Sequence, residues 1–333
     1  MKVAQITPYS LPHIGGVEVH VENLSKALSK FCHVEVVSSS NTPSLNVPYS
    51  PIPLKKRKIH ADVFHAHVPS PFFAYIYSNE ENFVVTYHND VEIPEEVFGR
   101  RVPKSVAKVI ENVNEKVVKK VLDRARVIIA TTSDYARTSH ILRNYEEKVE
   151  IVPNGVWCGD FEFKLEKKNF VLYVGRLVKY KGLQYLLEAL KGSDEKLVVA
   201  GDGEDRPYFE SLAKKMNVNA EFLGKVSYNR VRKLMRESKC LVLPSKTRLE
   251  AFGIVLLEAM ASGTPVIAYN TPGVREVAKK GGFVFSSTEE LRERIESLDE
   301  KTIIKIGRRA RRVAEAYSWD RVAKMTLKIY ERL

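Results

Sequence analysis

Cysteine and long apolar runs are both scarce in this chain of 333 residues. The three cysteines, Cys32, Cys158 and Cys240, lie far apart and form no CxxC pair, so the sequence offers neither a disulfide framework nor a zinc knuckle. Nowhere do about 18 uncharged apolar residues run together, as a membrane-spanning helix requires. Residues 1–10 lack the apolar core of a signal peptide. From these absences we expect a protein of the reducing cytoplasm.

Basic residues are in excess, and the formal net charge is +12. This charge favours an anionic partner, which can be a nucleotide, a nucleic acid or an anionic membrane surface. Nucleic acid is the least favoured of the three, because the sequence shows no recognition motif and no aromatic stacking platform. With 44% apolar residues the chain is long enough to build two hydrophobic cores.

Short β-rich runs alternate with helical patterns along almost the whole chain. In the first half KVAQIT, HVEVVS and FVVTYH alternate with segments such as GVEVHVENLSKALSK, and the rhythm restarts with FVLYVG and KLVVAG after the charged residues 156–168. This alternation predicts an α/β protein with two doubly wound parallel sheets. We place the first domain at residues 1–160 and the second at 161–317, with a final helix at 318–333 that packs back on the first.

Polar and glycine residues follow the predicted strands, where open parallel sheets bind their ligands. These positions are Gly15 and Gly16 after the first strand, His88 after FVVTYH, Arg176 and Lys181 after FVLYVG, and Glu250 after CLVLPS. Two such sheets that face each other form a cleft between these strand ends. We therefore expect the ligand site in that cleft.

Two glutamates, Glu250 and Glu258, flank a predicted helix start at Gly253. An ionised carboxylate accepts hydrogen bonds from two vicinal hydroxyls, as sugars and ribose supply them, and the first helical turn offers N–H groups to an anion. Arg176 and Lys181 could together bind a diphosphate. Taken alone, the two glutamates suit a solvated surface as well as a site, and Arg176 and Lys181 suit a solvated surface better. In combination with the helix-opening glycines they favour a phosphate-bearing ligand.

The motifs GRLVKYKG, VVAGDGEDRP and LPSKTRLEAFGIVLLEAMASGTPVIA together resemble the retaining GT-B glycosyltransferases of family 4, the last by its E-x7-E signature. GGVEVHVENLSKAL, DVFHAH and IVPNGV are similar to the N-terminal markers of that family. The resemblance implies two Rossmann-like domains facing across a cleft, an acceptor-side domain followed by a donor domain. It also implies transfer of a sugar, with retention, from a UDP-, GDP- or ADP-linked donor to a carbohydrate, lipid or small-molecule hydroxyl.

The resemblance further implies a role for individual residues and no need for a metal ion or resident cofactor. Glu258 would hold the donor ribose, Glu250 would lie at the transferred sugar, Arg176 and Lys181 would neutralise the diphosphate, and His88 would face the donor sugar. The sequence departs from the family at Trp157 and Cys158, where an acidic residue is common, and in its short first domain. The remaining donor contacts implied are Gly15, Gly16, Lys225, Val226, Phe252, Gly253, Ile254 and Val255.

Four other functions were considered from the same residues. A metal-dependent hydrolase could use His65, His67, His88 and Asp90, with His13, although no compact metal-ligand motif appears. An NAD-dependent dehydrogenase is disfavoured, because GDGEDRP lacks the third glycine of the dinucleotide motif. A GT-B nucleotide-sugar epimerase and a non-catalytic nucleotide-sugar binding protein stay open, since both would share the donor site.

Residues 100–126 carry nine basic and three acidic side chains and an apolar stripe with helical spacing. The simpler interpretation is a helix that packs its stripe on the first domain. The alternative is that its basic face, with KKRK at Lys55 to Lys58, docks the protein peripherally on the anionic inner face of a membrane. The stripe consists of Val106, Val109, Ile110, Val113, Val117 and Val121.

Overall fold

The computed structural model describes residues 1–9, 15–45, 47, 50–93, 96–97 and 100–333. Two compact units make up the chain. One comprises Met1–Glu95, Val102–Gly155 and Trp319–Leu333, and the other comprises Glu96–Arg101 and Val156–Ser318. The long segment of the second unit is thus Val156–Ser318, and the sequence-based boundaries were 160 and 317. Each unit contains a six-stranded parallel sheet, which confirms the predicted α/β fold class.

Helices and strands alternate along most of the chain, as the sequence pattern predicts. The strands are β1 Lys2–Ile6, β2 His33–Val37, β3 Ser44–Leu45, β4 Ile52–Pro53, β5 Val63–Val68, β6 Phe83–Tyr87, β7 Glu96–Val97, β8 Arg100–Arg101, β9 Val127–Ala130, β10 Val149–Ile151, β11 Lys168–Val174, β12 Leu197–Ala200, β13 Ala220–Gly224, β14 Ser238–Leu243, β15 Val266–Tyr269 and β16 Gly282–Phe285. The helices are α1 Gly16–Leu28, α2 Pro71–Tyr77, α3 Lys104–Arg124, α4 Ser133–Thr138, α5 Leu183–Ala189, α6 Arg206–Lys215, α7 Tyr228–Glu237, α8 Ile254–Ala261, α9 Val274–Gly281, α10 Thr288–Glu296, α11 Glu300–Ala316 and α12 Trp319–Tyr330. The short strands β3, β4, β7 and β8 and the edge strand β16 were not predicted.

In the first unit the strand order is β10-β9-β6-β5-β1-β2, and every neighbouring pair is parallel. The central strand β5, VFHAHV, is buried along its whole length, as expected for a parallel strand covered on both faces. This strand nevertheless carries two histidines, so polar groups lie inside the unit. The last helix of the chain, α12, packs against α1.

In the second unit the order is β13-β12-β11-β14-β15-β16. The chain enters at β11, moves outward through β12 and β13, and returns to β14 before it moves out to the opposite edge. Side chains of β11 alternate between two cores: Leu172 lies in one, and Val171 and Tyr173 lie in the other. The reversal between β11 and β14 is a topological switch point, where open α/β sheets form their ligand crevice.

Helix α3 corrects the simpler interpretation of the basic segment. Its C-terminal part is covered, with Val121 fully buried, but the other half of the stripe is not: Val106, Val109, Ile110 and Val113 are 46 to 61% exposed. The reason is length, because α3 packs against α2, and at 1.5 Å per residue α3 spans about 30 Å and α2 about 10 Å. The expectation that the whole stripe packs on the first domain is therefore wrong for its N-terminal half.

Gly182 allows the loops after β11 and β14 to approach each other. Its φ of +81° lies in the left-handed region, and a Cβ built there would lie far inside contact distance of the Pro244 carbonyl oxygen, which directly follows β14. Any side chain at this position would therefore push the two loops apart in addition to straining the backbone.

We expect Gly182→Ala to lower the free energy of unfolding of the second unit by about 2–3 kcal/mol, because strain and steric overlap add. Gly192→Ala is the matched control: its φ is +71°, but a Cβ there meets no atom within 4 Å, so about 1 kcal/mol is expected. Urea unfolding of both variants checks this. Equal losses in the two variants would show that the loop contact contributes nothing.

Candidate active site

The switch point of the second sheet brings three of the residues expected at the site onto adjacent loops. Arg176 and Lys181 lie on the loop after β11, which includes a short 3-10 turn at Lys179–Lys181, and Glu250 lies on the loop after β14. Since β11 and β14 are neighbouring parallel strands, both loops leave the same edge of the sheet. The two loops bring Lys181 and Glu250 into contact.

Lys181 and Glu250 form an ion pair that the sequence did not predict. The Lys181 ammonium donates to Glu250 Oε2 at 2.6 Å, and both side chains are about one-fifth exposed. Burial works to lower the pKa of Lys181, but the charge of Glu250 and its hydrogen bond outweigh burial, so the pKa is raised. The lysine is therefore a permanent cation, held in place at the point where the loops meet.

Arg176 is exposed at the start of the same loop. Its Nη2 donates to the Tyr180 hydroxyl at 3.2 Å, and its guanidinium lies 5.9 Å from the centre of that ring. The Lys181 ammonium lies 5.8 Å from the same ring. Tyr180 thus lies beside both cations and orients them. Tyr180 was not predicted from the sequence, although it stands between the two cations in the GRLVKYKG segment.

Glu258 lies on the second turn of α8 and is held by a residue that the sequence analysis did not include. Its Oε1 accepts a hydrogen bond of 2.6 Å from the Tyr228 hydroxyl. Burial raises the pKa of Glu258, and the Tyr228 hydrogen bond and the charge of Arg232 partly offset that rise. Tyr228 begins α7, two residues after Val226. Its hydrogen bond therefore links the Lys225–Val226 segment, expected to contact the base, to α8, whose Glu258 is expected to hold the ribose. The place of Tyr228 at a helix start, four residues after the end of β13, was the available signal.

The other residues expected to contact a donor surround the start of α8. Gly253 caps the helix with φ +78°, and Ile254 and Val255 supply N–H groups of its first turn. Phe252 is 4% exposed and lies in the hydrophobic core with Val226 packed against it, whereas Lys225 is exposed. Because the Phe252 side chain faces the core, only its backbone could contact a ligand.

Gly15 and Gly16 open α1 in the first unit, as predicted, with Gly15 as the extended N-cap. Glu18 occupies the third helical position, is 7% exposed, and lies so close that a Cβ on Gly15 would overlap its carboxylate. A glutamate at this position commonly reaches back to the cap of its helix. The helix start expected to receive a phosphate therefore already carries a carboxylate of the protein.

His88 lies directly after β6 and is joined to a buried group of polar side chains. His67 Nδ1 and His88 Nε2 are 3.1 Å apart, and His67 Nε2 lies 2.6 Å from Gln5 Oε1. His65 contacts the Tyr330 hydroxyl and Thr86 Oγ1, both at 2.6 Å. Burial lowers the pKa of His65 to about 3 and the pKa values of His67 and His88 well below the usual range. These rings are therefore neutral near pH 7.

The structure gives a different histidine cluster from the one in the metal hypothesis. Among the described residues, the nitrogens of His20, His67 and His88 lie within 4.8 Å of one another. His65 instead contacts Tyr330 and Thr86, and the Asp90 carboxylate accepts from the Tyr87 and Ser139 hydroxyls. His20, missed at the sequence level, donates from Nδ1 to the amide oxygen Asn154 Oδ1, 2.5 Å away. Burial lowers its pKa to about 4. His13 lies outside the described residues.

Two family models match the chain and together span both units. The model for glycosyl transferases group 1 matches residues 160–319, and the model for glycosyltransferase family 4 matches residues 43–158. The uncharacterized glycosyltransferase MJ1607 of Methanocaldococcus jannaschii is 32% identical over an alignment of 237 residues, and the alignment covers 63% of this chain. The match spans 60% of the length of that relative.

Solved structures show the same fold. Sucrose-phosphate synthase from Thermosynechococcus elongatus superposes with a TM-score of 0.80 at 20% identity, over 99% of this chain and 98% of that one. Anabaena Alr3699/HepE in complex with UDP gives a TM-score of 0.74 at 17% identity over all of both chains. With two parallel-sheet units, the Arg and Lys loop, the E-x7-E segment and both family models in agreement, the chain belongs to the group 1 glycosyltransferases of family 4.

Proposed function

We propose that the protein transfers a sugar, with retention of configuration, from a nucleoside-diphosphate sugar to a hydroxyl acceptor. The observation that carries this proposal is the placement of a cation pair and two carboxylates around the start of one helix, α8, at the switch point of the second sheet. A related fold, Alr3699/HepE, has been solved with UDP. That structure supports a nucleotide donor without selecting UDP, GDP or ADP.

Glu258 is the residue we assign to the ribose. Its carboxylate accepts hydrogen bonds only, and one carboxylate can accept from both ribose hydroxyls. Tyr228 now donates to one of its oxygens, so a ribose would add to or replace that hydrogen bond. The base would then lie towards Lys225 and Val226, three and two residues before Tyr228.

The diphosphate is assigned to Arg176 and Lys181. As the bond to the anomeric carbon breaks, negative charge grows on the leaving phosphate, and fixed cations stabilise it there. The Lys181 ammonium has three N–H donors, so it can keep its hydrogen bond to Glu250 and still donate to phosphate oxygens. Because two cations and the first turn of α8 share this task, the proposed reaction needs no metal ion or other cofactor.

Glu250 is assigned to the hydroxyls of the transferred sugar. In retaining glycosidases a carboxylate attacks the sugar as nucleophile, but Glu250 is bound to the Lys181 ammonium at 2.6 Å, which lowers the availability of its electrons. We propose instead that the acceptor hydroxyl attacks from the face that the phosphate leaves. The departing phosphate then takes the acceptor proton.

A cavity of about 450 Å³ in the first unit is the proposed site for part of the acceptor. Asn89, the neighbour of His88 in sequence, lines this cavity. The other lining side chains include amides and charges of both signs. Mixed charges disfavour a polyanion, whereas amides and carboxylates suit hydroxyl groups. The polar lining residues are Asn89, Glu92, Lys104, Lys108, Glu111, Asn112, Asn114, Glu115 and His140.

The exposed half of α3 supports a second proposal, peripheral docking on an anionic bilayer. Four apolar side chains on one face, Val106, Val109, Ile110 and Val113, stand beside lysines of the same helix, a pattern typical of interfacial helices. The KKRK segment contributes less than predicted, because Lys56 and Arg57 pair with Glu80 and Glu35. In the part of the chain that the structure describes, no helix is long and apolar enough to span a bilayer.

For the donor site we expect Glu258→Ala to weaken nucleotide binding about 10- to 100-fold, the loss of charge-assisted hydrogen bonds. Arg176→Ala should mainly lower kcat, by about 100-fold, because its charge acts most in the transition state. Glu293→Ala and Arg308→Ala, at exposed positions of the same unit, are the matched controls. Isothermal titration with each nucleoside diphosphate and steady-state transfer assays measure the effects.

A thermal-shift panel with UDP, GDP, ADP and CMP, each alone and as sugar conjugates, precedes these assays. A ligand that binds only the folded state raises the melting temperature by mass action, so one diphosphate series should stand out. No rise with any of them at millimolar ligand would contradict the donor site. Donor isomerised without a supplied acceptor would favour the epimerase, and binding without any turnover would favour the non-catalytic alternative.

For membrane docking we expect the wild type to co-sediment with phosphatidylglycerol vesicles at low salt and not with phosphatidylcholine vesicles. The double variant Val109→Glu, Ile110→Glu should lose at least about tenfold in vesicle binding without loss of stability, because both side chains are exposed. Phe31→Glu, 50% exposed in the same unit, is the control. Equal binding to both vesicle types would refute the proposal.

A further inference from the structure

The buried polar groups of the first unit form one continuous chain of hydrogen bonds that ends at His88. From the far end it runs through Thr86, His65, Tyr330, Gln5 and His67, with successive distances of 2.6, 2.6, 3.2, 2.6 and 3.1 Å. These side chains come from β1, β5, β6 and the last helix, α12, with His88 directly after β6. All of them are buried, and His88 is the most exposed of the three rings at 7%.

The chemistry of the side chains fixes the direction of the three hydrogen bonds that lead from Tyr330 through Gln5 and His67 to His88. Gln5 Nε2 donates to the Tyr330 oxygen, so Gln5 Oε1 is the atom that faces His67. An amide oxygen only accepts, hence His67 Nε2 carries the proton and His67 Nδ1 carries the lone pair. His67 Nδ1 must then accept, and the His88 atom that faces it, Nε2, must donate.

His88 therefore carries its proton on Nε2 and a lone pair on Nδ1. Burial keeps both rings neutral by lowering their pKa values, so each ring has one N–H and one acceptor nitrogen. Among the described residues, no hydrogen-bond partner of His88 Nδ1 appears. The series of hydrogen bonds thus ends in an acceptor atom, His88 Nδ1. His88 follows β6 and precedes Asn89, which lines the cavity.

We propose that Tyr330, Gln5 and His67 are positioning residues that lock His88 in the Nε2–H tautomer, so that its Nδ1 accepts a hydrogen bond from a hydroxyl of the sugar substrate. This inference rests on the proposed function, because it gives His88 a substrate to meet. It assigns a role to α12 as well, since the Tyr330 hydroxyl accepts from Gln5 and thereby holds the amide in the orientation that sets the two rings.

The tautomer is measured directly, without activity, by long-range ¹H–¹⁵N correlation of protein labelled with ¹⁵N-histidine at pH 7. The signals of His88 are assigned by their loss in His88→Gln. We expect the proton on Nε2 in the wild type and a mixture of tautomers in Gln5→Leu and Tyr330→Phe. Gln5→Leu removes the amide oxygen that His67 faces, and Tyr330→Phe removes the hydroxyl that orients this amide. A wild-type His88 with its proton on Nδ1 would overturn the proposal.

The functional part is tested by the kinetics of the same variants. Gln5→Leu and Tyr330→Phe should lower kcat about tenfold, with KM for the donor nearly unchanged. Tyr77→Phe is the matched control: Tyr77 is fully buried in the same unit, and its hydroxyl donates to the Arg57 carbonyl at 2.9 Å. It should lose similar stability but keep both the tautomer and kcat.

The outcomes separate this inference from the proposed function. If the thermal-shift panel shows no nucleotide binding, the proposed function fails, while the tautomer measurement still supports or overturns the hydrogen-bond chain. If the wild type is active and Gln5→Leu and Tyr330→Phe keep the wild-type kcat, the positioning role is refuted. The same holds if Tyr77→Phe lowers kcat as much as Tyr330→Phe, because the loss then reflects stability alone.

Discussion

The close approach of two loops at the switch point of the second sheet is the constraint on which the proposed donor site depends. Gly182 lets the loop after β11 lie against the backbone of Pro244, and only then can Lys181 reach Glu250 on the loop after β14. The ion pair in turn fixes the lysine as a cation in a half-buried position. The ion pair therefore depends on a residue without a side chain in the left-handed conformation at position 182.

Three of the groups assigned to the ligand are occupied by a partner from the protein. Lys181 pairs with Glu250, Glu258 accepts from Tyr228, and the start of α1 lies against the Glu18 carboxylate. Leaving any of these groups buried without a partner would cost about 1–3 kcal/mol. Binding in such a site exchanges one set of hydrogen bonds for another, so a ligand gains affinity only where it replaces the internal partners with at least as many bonds. That condition favours a ligand rich in hydroxyls and phosphate oxygens.

Strands and the loops that follow them could be predicted from the sequence, because periodicity and glycine positions are local signals. Arg176, Lys181, Glu250 and Glu258 were proposed as site residues in this way. Their partners Tyr180 and Tyr228 were missed, since the sequence does not show which side chain a tyrosine at a turn or a helix start will contact. The contact from α7 to α8 spans 30 residues. The prediction that the whole apolar stripe of α3 is packed failed for another reason. The stripe exists, but the fraction of it that is covered depends on the length of the neighbouring helix α2.

The polar group in the first unit shows why the histidine pattern alone was ambiguous. HAH on a central strand suits a metal site as well as a hydrogen-bonded core, and the difference lies in what the second ring nitrogens face. Here those partners come from Gln5 at one end of the chain and Tyr330 near the other, 325 residues apart. Because α12 follows the whole second unit in sequence, the first unit has its full set of polar partners only after the second has been made. Until then His65 Nδ1 and Gln5 Nε2 lack the Tyr330 hydroxyl, the partner that their burial requires. Completion of this core is therefore coupled to the last helix.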